Sequence, residues 1–291
     1  MTYTNPYTTA AGEMNRVLWC LKKYSTEIAP RGNKVKETLD LTLDIDPLYP
    51  CPHFESRPFN LKYFAGEMCW YLSRDRDPKD IIHFAKFWET LKNPFNGTVN
   101  SNYGSLIFND QMSWAYNQLC KDMFTRQAVM FFNRPIYQFE GNKDFICTLN
   151  MLFYIRDNKL NARVSMRSQD IIRGYSYDVP FFSFVLQYMR LWLQKNKYPD
   201  LELGKLLLRV DNIHIYEDHF ELMDSILNEK EIIEQPRLEL KEMPFHLDKY
   251  GEYKIYPFVK EMSEIILRLG QNKHKKYDLY KEQLSKLFIL E

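Results

Sequence analysis

Residues 166–178 read Met-Arg-Ser-Gln-Asp-Ile-Ile-Arg-Gly-Tyr-Ser-Tyr-Asp, and the residues before them alternate in polarity as in a strand. Arg167 and Ser168 end that predicted strand, where a guanidinium fork and a hydroxyl can bind one phosphate group. A polar turn closed by Gly174 explains the same residues equally well. The stretch therefore indicates either an anion site or a turn.

Two other stretches carry chemically capable side chains. Residues 144–150, DFICTLN, place Cys147 in a predicted apolar strand, where a lone cysteine is usually a small buried residue. Residues 211–219, DNIHIYEDH, place His214 and Tyr216 two positions apart on a strand. Both side chains then point to one face and can hold a sugar hydroxyl, although a lone histidine there is more often a core residue.

Bulk composition limits the class of protein. The chain has 291 residues, 45% of them hydrophobic, which suffices for a sizeable core. Its 39 basic and 38 acidic residues leave a net charge of +1, which favours neither duplex nucleic acid nor an anionic membrane as a partner. Five cysteines without a CxxC pair argue against a disulfide framework and a metal site. Without a recognisable signal peptide or a long apolar run, we expect a cytoplasmic protein.

The spacing of apolar residues predicts helices and strands that interleave along the chain. We expect one α/β domain over residues 1–291 because no repeat or low-complexity linker divides it. The predicted helices cover residues 11–24, 61–72, 80–91, 179–193 and 217–228, and the predicted strands cover 34–44, 127–132, 145–155, 161–166, 206–216 and 253–258, with a turn at 156–159 and a charged helical stretch in the tail.

In this order the three stretches resemble the thymidylate synthases and their pyrimidine hydroxymethylase relatives, over residues 12–221. MRSQDIIRGYSYD is similar to the family's Arg-Ser-x-Asp-x-x-x-Gly-x-x-x-Asn stretch, IHIY is similar to its His-x-Tyr, and Cys147 falls at its nucleophile. Further matches are Glu67 in GEMCWYL, Tyr103 in NYG, Arg31 in APRGNKVKET and Arg126 in TRQAVMFFNRP. If the resemblance misleads, the chain is an unrelated α/β protein.

The resemblance implies an α+β fold with a mixed sheet flanked by helices, and a homodimer formed through the sheet. Arg126 would reach the phosphate site of the partner subunit, although Gln127 stands where the family has a second arginine. The substrate would be a pyrimidine nucleotide and the co-substrate 5,10-methylenetetrahydrofolate. The residues implied to bind substrate are Arg31, Arg126, Arg167, Ser168, Asp170, Asp178, His214 and Tyr216.

The implied chemistry begins at Cys147, whose thiolate would add to C6 of the pyrimidine and make C5 nucleophilic. Arg167 is the cation that would favour the thiolate. The resemblance also implies that Tyr103 is a catalytic residue. Glu67 would manage the C5 proton through ordered water, unless it is only a solvated helix position. The folate contacts would be Ala85, Trp88 and Arg57, and the ESRPFN context of Arg57 departs from the family pattern.

Two positions favour a particular reaction. Ala85 aligns with a tryptophan that shields the intermediate from water in methylating members, which favours hydroxymethylation. Asp178 stands where uracil-specific members have asparagine, and a carboxyl group that shares a proton suits the donor and acceptor pattern of cytosine. A turn or cap residue is the alternative for Asp178. We therefore expect a deoxycytidylate 5-hydroxymethylase, of the kind known from bacteriophages.

Other reactions stay open on the same fold. They are methylation of dUMP or dCMP, hydroxymethylation of CMP or dUMP, and nucleotide binding by a catalytically silent homologue. Retention of Cys147, Glu67, Arg167 and Asp178 together argues against a silent homologue, which has no need of a nucleophile.

Overall fold

The computed structural model describes residues 8–230, 233–273 and 276–291; residues 1–7 of the N-terminal segment lie outside it. Its helices are α1 (Ala10–Tyr24), α2 (Leu61–Ser73), α3 (Phe87–Thr90), α4 (Tyr103–Ile107), α5 (Asp110–Lys121), α6 (Tyr175–Asn196), α7 (Phe220–Leu227), α8 (Pro257–Gln271) and α9 (Tyr277–Leu284). Its strands are β1 (Thr26–Ile28), β2 (Val35–Ile45), β3 (Val129–Phe131), β4 (Thr148–Arg156), β5 (Lys159–Met166), β6 (Gln169–Asp170), β7 (Glu202–Tyr216), β8 (Leu238–Leu240), β9 (Phe245–Leu247), β10 (Tyr253–Ile255) and β11 (Phe288–Leu290).

The chain forms two compact units. The sheet unit comprises Met1–Phe59, Met151–Glu239 and Glu291, and the helical unit comprises Asn60–Asn150 and Leu240–Leu290. The single domain expected over residues 1–291 stays a prediction. No helix in the described part of the chain has both the length and the apolar character that crossing a membrane requires.

A mixed sheet organises the sheet unit. Its strands follow the order β1-β2-β7-β5-β4, and β6 pairs with β7. β2 runs antiparallel to β7, with Val35 opposite Tyr216 and Ile45 opposite Leu206. β5 and β6 both run parallel to β7, and β6 brings Asp170 opposite His214. Helices accompany this sheet, so the predicted α+β class with a mixed sheet is confirmed.

The turn between β4 and β5 has the geometry that a tight hairpin requires. Asp157 and Asn158 both have positive φ, 51° and 56°. Asp and Asn tolerate this left-handed region, and two such residues match the right-handed twist of the flanking strands. The predicted turn at 156–159 is confirmed, and it directs β5 towards the Arg167-Ser168 stretch.

α6 is apolar on nearly all sides, as a fully buried helix must be. It begins at Tyr175, earlier than the predicted Val179, and the Tyr175 hydroxyl donates to the Ala10 carbonyl oxygen at 3.0 Å. The buried amide of Gln187 donates to the carbonyl oxygens of Pro47 and Leu238 at 2.8 and 3.0 Å. Because the helix starts early, Asp178 lies in its first turn.

In the helical unit, α2 packs against α4, α8 and α9. The predicted helix over 80–91 is wrong as one element, since the chain forms a 3-10 helix at Ile81–His83 and then α3. The interruption follows Phe84, whose ring lies where a Cβ on Gly66 or Gly270 would be, within 2.4 and 2.2 Å. We attribute the break to this packing, which helical periodicity does not describe.

The predicted strand at 253–258 is too long. β10 ends at Ile255, and Pro257 is the first residue of α8. Proline suits that position because the first N–H groups of a helix have no partner within the helix and the ring already holds a helical φ.

Candidate active site

The predicted site residues divide between the two units. The sheet unit carries Arg31, Arg57, Arg167, Ser168, Asp170, Asp178, His214 and Tyr216. The helical unit carries Glu67, Ala85, Trp88, Tyr103, Arg126 and Cys147. The assigned roles of these residues stay predictions, and the geometry within each unit follows.

The loop from Asp170 to Gly174 is held by hydrogen bonds to its own backbone. Oδ1 of Asp170 accepts from the N–H groups of Ile172 and Arg173, both at 2.8 Å. Arg57 donates from Nη2 to the Ile172 carbonyl oxygen at 2.7 Å, and burial lowers the pKa of Arg57. Asp170 and Arg57, predicted to contact ligands, therefore shape this loop in the structure.

The candidate phosphate ligands Arg167, Ser168 and Arg31 lie in connections between strands. Arg167 and Ser168 lie between β5 and β6, and both are half-buried. Arg31 is exposed in a short 3-10 helix between β1 and β2, with φ 52° and ψ 32°. A non-glycine residue in this left-handed region costs conformational energy, which makes the Arg31 turn an unusual backbone feature.

His214 and Tyr216 occupy one face of β7, as the two-residue spacing predicts. Their rings meet edge to face with centroids 5.2 Å apart, and both side chains are half-buried. Nδ1 of His214 lies 3.1 Å from Oδ1 of Asn212. Burial lowers the pKa of His214, so its ring is neutral at physiological pH and can exchange hydrogen bonds with a hydroxyl.

Asp178 pairs with a buried glutamine. Nε2 of Gln169 donates to Oδ2 of Asp178 at 3.0 Å. Burial raises the pKa of Asp178 to about 7, and the Gln169 hydrogen bond partly opposes that rise. Gly174 permits the pairing, because a Cβ there would lie 3.2 Å from Gln169 Oε1 and 3.3 Å from Asp178 Oδ2. A carboxyl group with this pKa can be either proton donor or acceptor near neutral pH.

In the helical unit, a hydrogen-bonded chain ends on Glu67. The Tyr63 hydroxyl donates to Oε1 of Glu67 at 2.7 Å and accepts from Nε1 of Trp88 at 3.1 Å. Trp88 is buried with its ring centroid 4.8 Å from that of Trp70. Glu67 is only 6% exposed, so it is not a solvated helix position.

Cys147 lies immediately before β4 and not within it, so the predicted strand over 145–155 begins too early. Its side chain is half-buried. The segment before it is tied by Asp144, whose buried carboxyl accepts from the N–H groups of Asn100 and Ser101 at 2.5 and 2.8 Å. These side-chain bonds replace strand pairing and leave the cysteine on a bend.

Tyr103 supports the same bend from the other side. Its hydroxyl accepts from Oγ1 of Thr148, the residue after Cys147, at 3.0 Å. Its ring stacks on that of Tyr71 at 5.4 Å between centroids. Tyr103 is buried, and its hydrogen bond to Thr148 helps to hold the segment that carries Cys147.

The remaining predicted residues are at the edges of elements. Ala85 is half-buried and precedes α3, and its carbonyl oxygen accepts from the Trp88 N–H at 3.3 Å. Arg126 is exposed in the loop before β3. The next residue, Gln127, accepts from Nε1 of Trp114 at 3.0 Å. An exposed Arg126 is compatible with the predicted reach into a partner subunit, which stays a prediction.

Three partners of the site were absent from the sequence prediction. Tyr63 had a signal, since it lies one helical turn before Glu67 and i, i+4 side chains share a face. Gln169 occupies the variable position of the Arg-Ser-x-Asp motif, which gives no reason to select it. Asp144 is identified only by its contacts in the fold.

Comparison with known proteins identifies the family to which the chain belongs. The family model described as thymidylate synthase matches residues 31–259, so the chain belongs to the thymidylate synthase family. It is therefore an enzyme of the one-carbon transferase class that acts on pyrimidine nucleotides, as predicted. The family uses methylenetetrahydrofolate as co-substrate.

Three relatives illustrate the range of activities in the family. The chain is 32% identical over 179 residues to the deoxycytidylate 5-hydroxymethyltransferase of Enterobacteria phage T2, covering 58% of this chain and 72% of that protein. It is 26% identical over 221 residues to the deoxyuridylate hydroxymethyltransferase of Bacillus phage SP01, covering 70% and 56%. It is 24% identical over 196 residues to the thymidylate synthase of Streptococcus pyogenes serotype M5 (strain Manfredo), covering 63% and 67%.

Proposed function

We propose that the protein is a deoxycytidylate 5-hydroxymethylase. Deoxycytidylate, methylenetetrahydrofolate and water would give 5-hydroxymethyldeoxycytidylate and tetrahydrofolate. The phage T2 relative, named for this activity, supports the assignment, and its source supports a phage origin with action in the host cytoplasm. The family resemblance supports a homodimer to which Arg126 contributes.

The observation that carries the proposal is the carboxyl of Asp178. Cytosine presents an amino donor at C4 and a bare acceptor at N3, whereas uracil presents the opposite pattern. A carboxyl with a pKa of about 7 retains its proton on a large fraction of molecules near neutral pH. In that form it can donate to N3 of cytosine and accept from the 4-amino group.

The covalent chemistry rests on Cys147 and Glu67. The Cys147 thiolate adds to C6, and the ring electrons move to C5, which takes the one-carbon unit. Methylenetetrahydrofolate supplies that unit at the oxidation level of formaldehyde. Glu67, fixed by the Tyr63 hydroxyl, would accept the C5 proton through water. Loss of that proton would break the carbon–nitrogen bond to folate, releasing tetrahydrofolate and leaving an exocyclic methylene group. Water would then add to this carbon as the thiolate leaves C6, so no hydride is required.

Ala85 is half-buried and Trp88 is buried, and the family resemblance is what places both at the folate site. Arg57 fits its predicted folate contact less well. Its Nη2 donates to the Ile172 carbonyl oxygen within the sheet unit. We therefore propose Ala85 and Trp88 as the folate-facing pair and assign Arg57 to the support of the substrate loop.

The test is to incubate the purified protein with methylenetetrahydrofolate and dCMP or dUMP, each tritiated at C5, and to identify the product by mass. We expect the wild type to release tritium and to form hydroxymethyl-dCMP without dihydrofolate. The Cys147→Ser variant should neither release tritium nor form hydroxymethyl-dCMP. A methylated product with dihydrofolate would contradict the water step. Turnover of dUMP alone would contradict the assignment of Asp178, and turnover of neither would favour a ribonucleotide substrate or a silent homologue.

A further inference from the structure

We propose that Gln169 is a specificity-determining residue that fixes the acid proton of Asp178 on Oδ1. Cytosine would then bind with N3 opposite Oδ1 and its 4-amino group opposite Oδ2. The inference rests on the proposed function and adds a residue and an atomic orientation to it.

The contact that carries this inference joins a buried glutamine to a half-buried carboxyl group. Nε2 of Gln169 lies 3.0 Å from Oδ2 of Asp178, and the Gln169 side chain is only 2% exposed. Gly174 closes the pair from the backbone side, where a Cβ would lie 3.2 and 3.3 Å from the two side chains. Rotation of either side chain would break this hydrogen bond, which is partly buried.

An N–H donor at Oδ2 disfavours a proton on that oxygen. A carboxyl oxygen that carries the proton is a much weaker acceptor than the carbonyl oxygen, so the Gln169 hydrogen bond would be weakened. The acid proton therefore lies on Oδ1, and Oδ2 keeps a second lone pair for another donor. The carboxyl presents a donor and an acceptor in a defined order, which matches N3 and the 4-amino group of cytosine.

Uracil requires the reverse order. Its N3–H needs an acceptor at Oδ1, and its O4 needs a donor at Oδ2. Placing the proton on Oδ2 would weaken the hydrogen bond that this oxygen accepts from the Gln169 amide. Gln169 thus raises the cost of the one protonation state that would let Asp178 accept uracil.

The test replaces Gln169 with methionine, which has a similar length and no N–H donor. Gln187→Met is the matched control, because it removes a buried glutamine of the same unit that donates to Pro47 and Leu238 and not to Asp178. We expect Gln169→Met to lower the ratio of kcat/KM for dCMP over dUMP about tenfold, the scale of one lost hydrogen bond. Gln187→Met should lower the melting temperature and leave the ratio unchanged.

A second readout uses binding alone. Calorimetric titration of dCMP from pH 6 to pH 9, without folate, follows the protonated form of Asp178. Because the Gln169 hydrogen bond lowers the pKa of Asp178, Gln169→Met should retain dCMP binding to higher pH than the wild type. The other titratable or charged groups around this loop are the same in wild type and variant: Asp170, Arg173, Arg57, Tyr177, Arg167 and His214.

Gln169→Glu keeps the side-chain shape and guards against misfolding of the methionine variant. Its protonated form can still donate to Asp178, so selectivity should be retained at low pH and lost as pH rises. If either folded variant keeps the wild-type dCMP preference at every pH, the inference is overturned. A wild type that turns over dUMP and not dCMP would instead overturn the proposed function.

Discussion

The substitution Tyr63→Phe removes one hydroxyl from the chain that ends on Glu67 and keeps the ring. That hydroxyl lies 2.7 Å from Glu67 Oε1 and 3.1 Å from Trp88 Nε1. A hydrogen bond to a carboxylate contributes about 1.5–3 kcal/mol, and each 1.4 kcal/mol changes a rate about tenfold. If the bond orients Glu67 for proton transfer, kcat should fall about tenfold to a hundredfold.

The assay measures kcat, the KM for dCMP and tritium release from C5 for Tyr63→Phe and for a matched control. Tyr253→Phe is the control, because it removes another buried hydroxyl of the helical unit, 3.0 Å from Ser113 Oγ. We expect Tyr63→Phe to lower kcat and tritium release together at unchanged KM, and both variants to show similar losses in melting temperature. Equal kcat values for the two variants would refute the positioning role of Tyr63.

Three further variants test the nucleotide site. Asp178→Asn should reverse the dCMP over dUMP preference in a competition assay, by roughly a hundredfold or more. Burial raises the pKa of Asp178 from 3.8 in the unfolded chain to about 7 in the folded protein. The contribution of this group to stability is therefore fully present below about pH 3.8 and is lost as pH rises through 7. The melting temperature of the wild type should fall relative to that of Asp178→Asn between pH 5 and pH 8.5. Gly174→Ala places a methyl group 3.2 Å from Gln169 Oε1 and should raise the KM for dCMP several-fold in steady-state kinetics without abolishing kcat. Arg126→Ala should raise the KM for dCMP about tenfold, and unchanged kinetics would argue against a phosphate site shared between subunits.

Elements with a strong local pattern could be predicted closely. α2 and β2 begin and end within one residue of the predicted bounds, and the hairpin turn uses Asp157 and Asn158. In each case neighbouring residues carry the signal, through a period of 3.6 or 2 or through tolerance of positive φ. The same periodicity put His214 and Tyr216 on one face, which the ring contact confirms.

The errors occurred where distant residues determine the backbone. The predicted helix at 80–91 is interrupted after Phe84, whose ring is received by glycines of α2 and α8. The strand predicted through Cys147 starts later, because Asp144 bonds to the backbone at Asn100 and Ser101. Neither partner lies within a helical turn or a hairpin of the segment it shapes, so no local pattern announces the contact.

The sequence by itself determined the family and the chemical inventory of the site, because residue type and motif order state which nucleophile, carboxyl and guanidinium groups are present. Only the tertiary structure decided the state of those groups. In the structure Glu67 accepts a hydrogen bond from Tyr63, and Asp178 accepts one from Gln169. Burial raises the pKa of Asp178 to about 7. The physical reason is that desolvation and hydrogen bonding act across a few ångströms in space, between residues whose separation along the chain carries no such information.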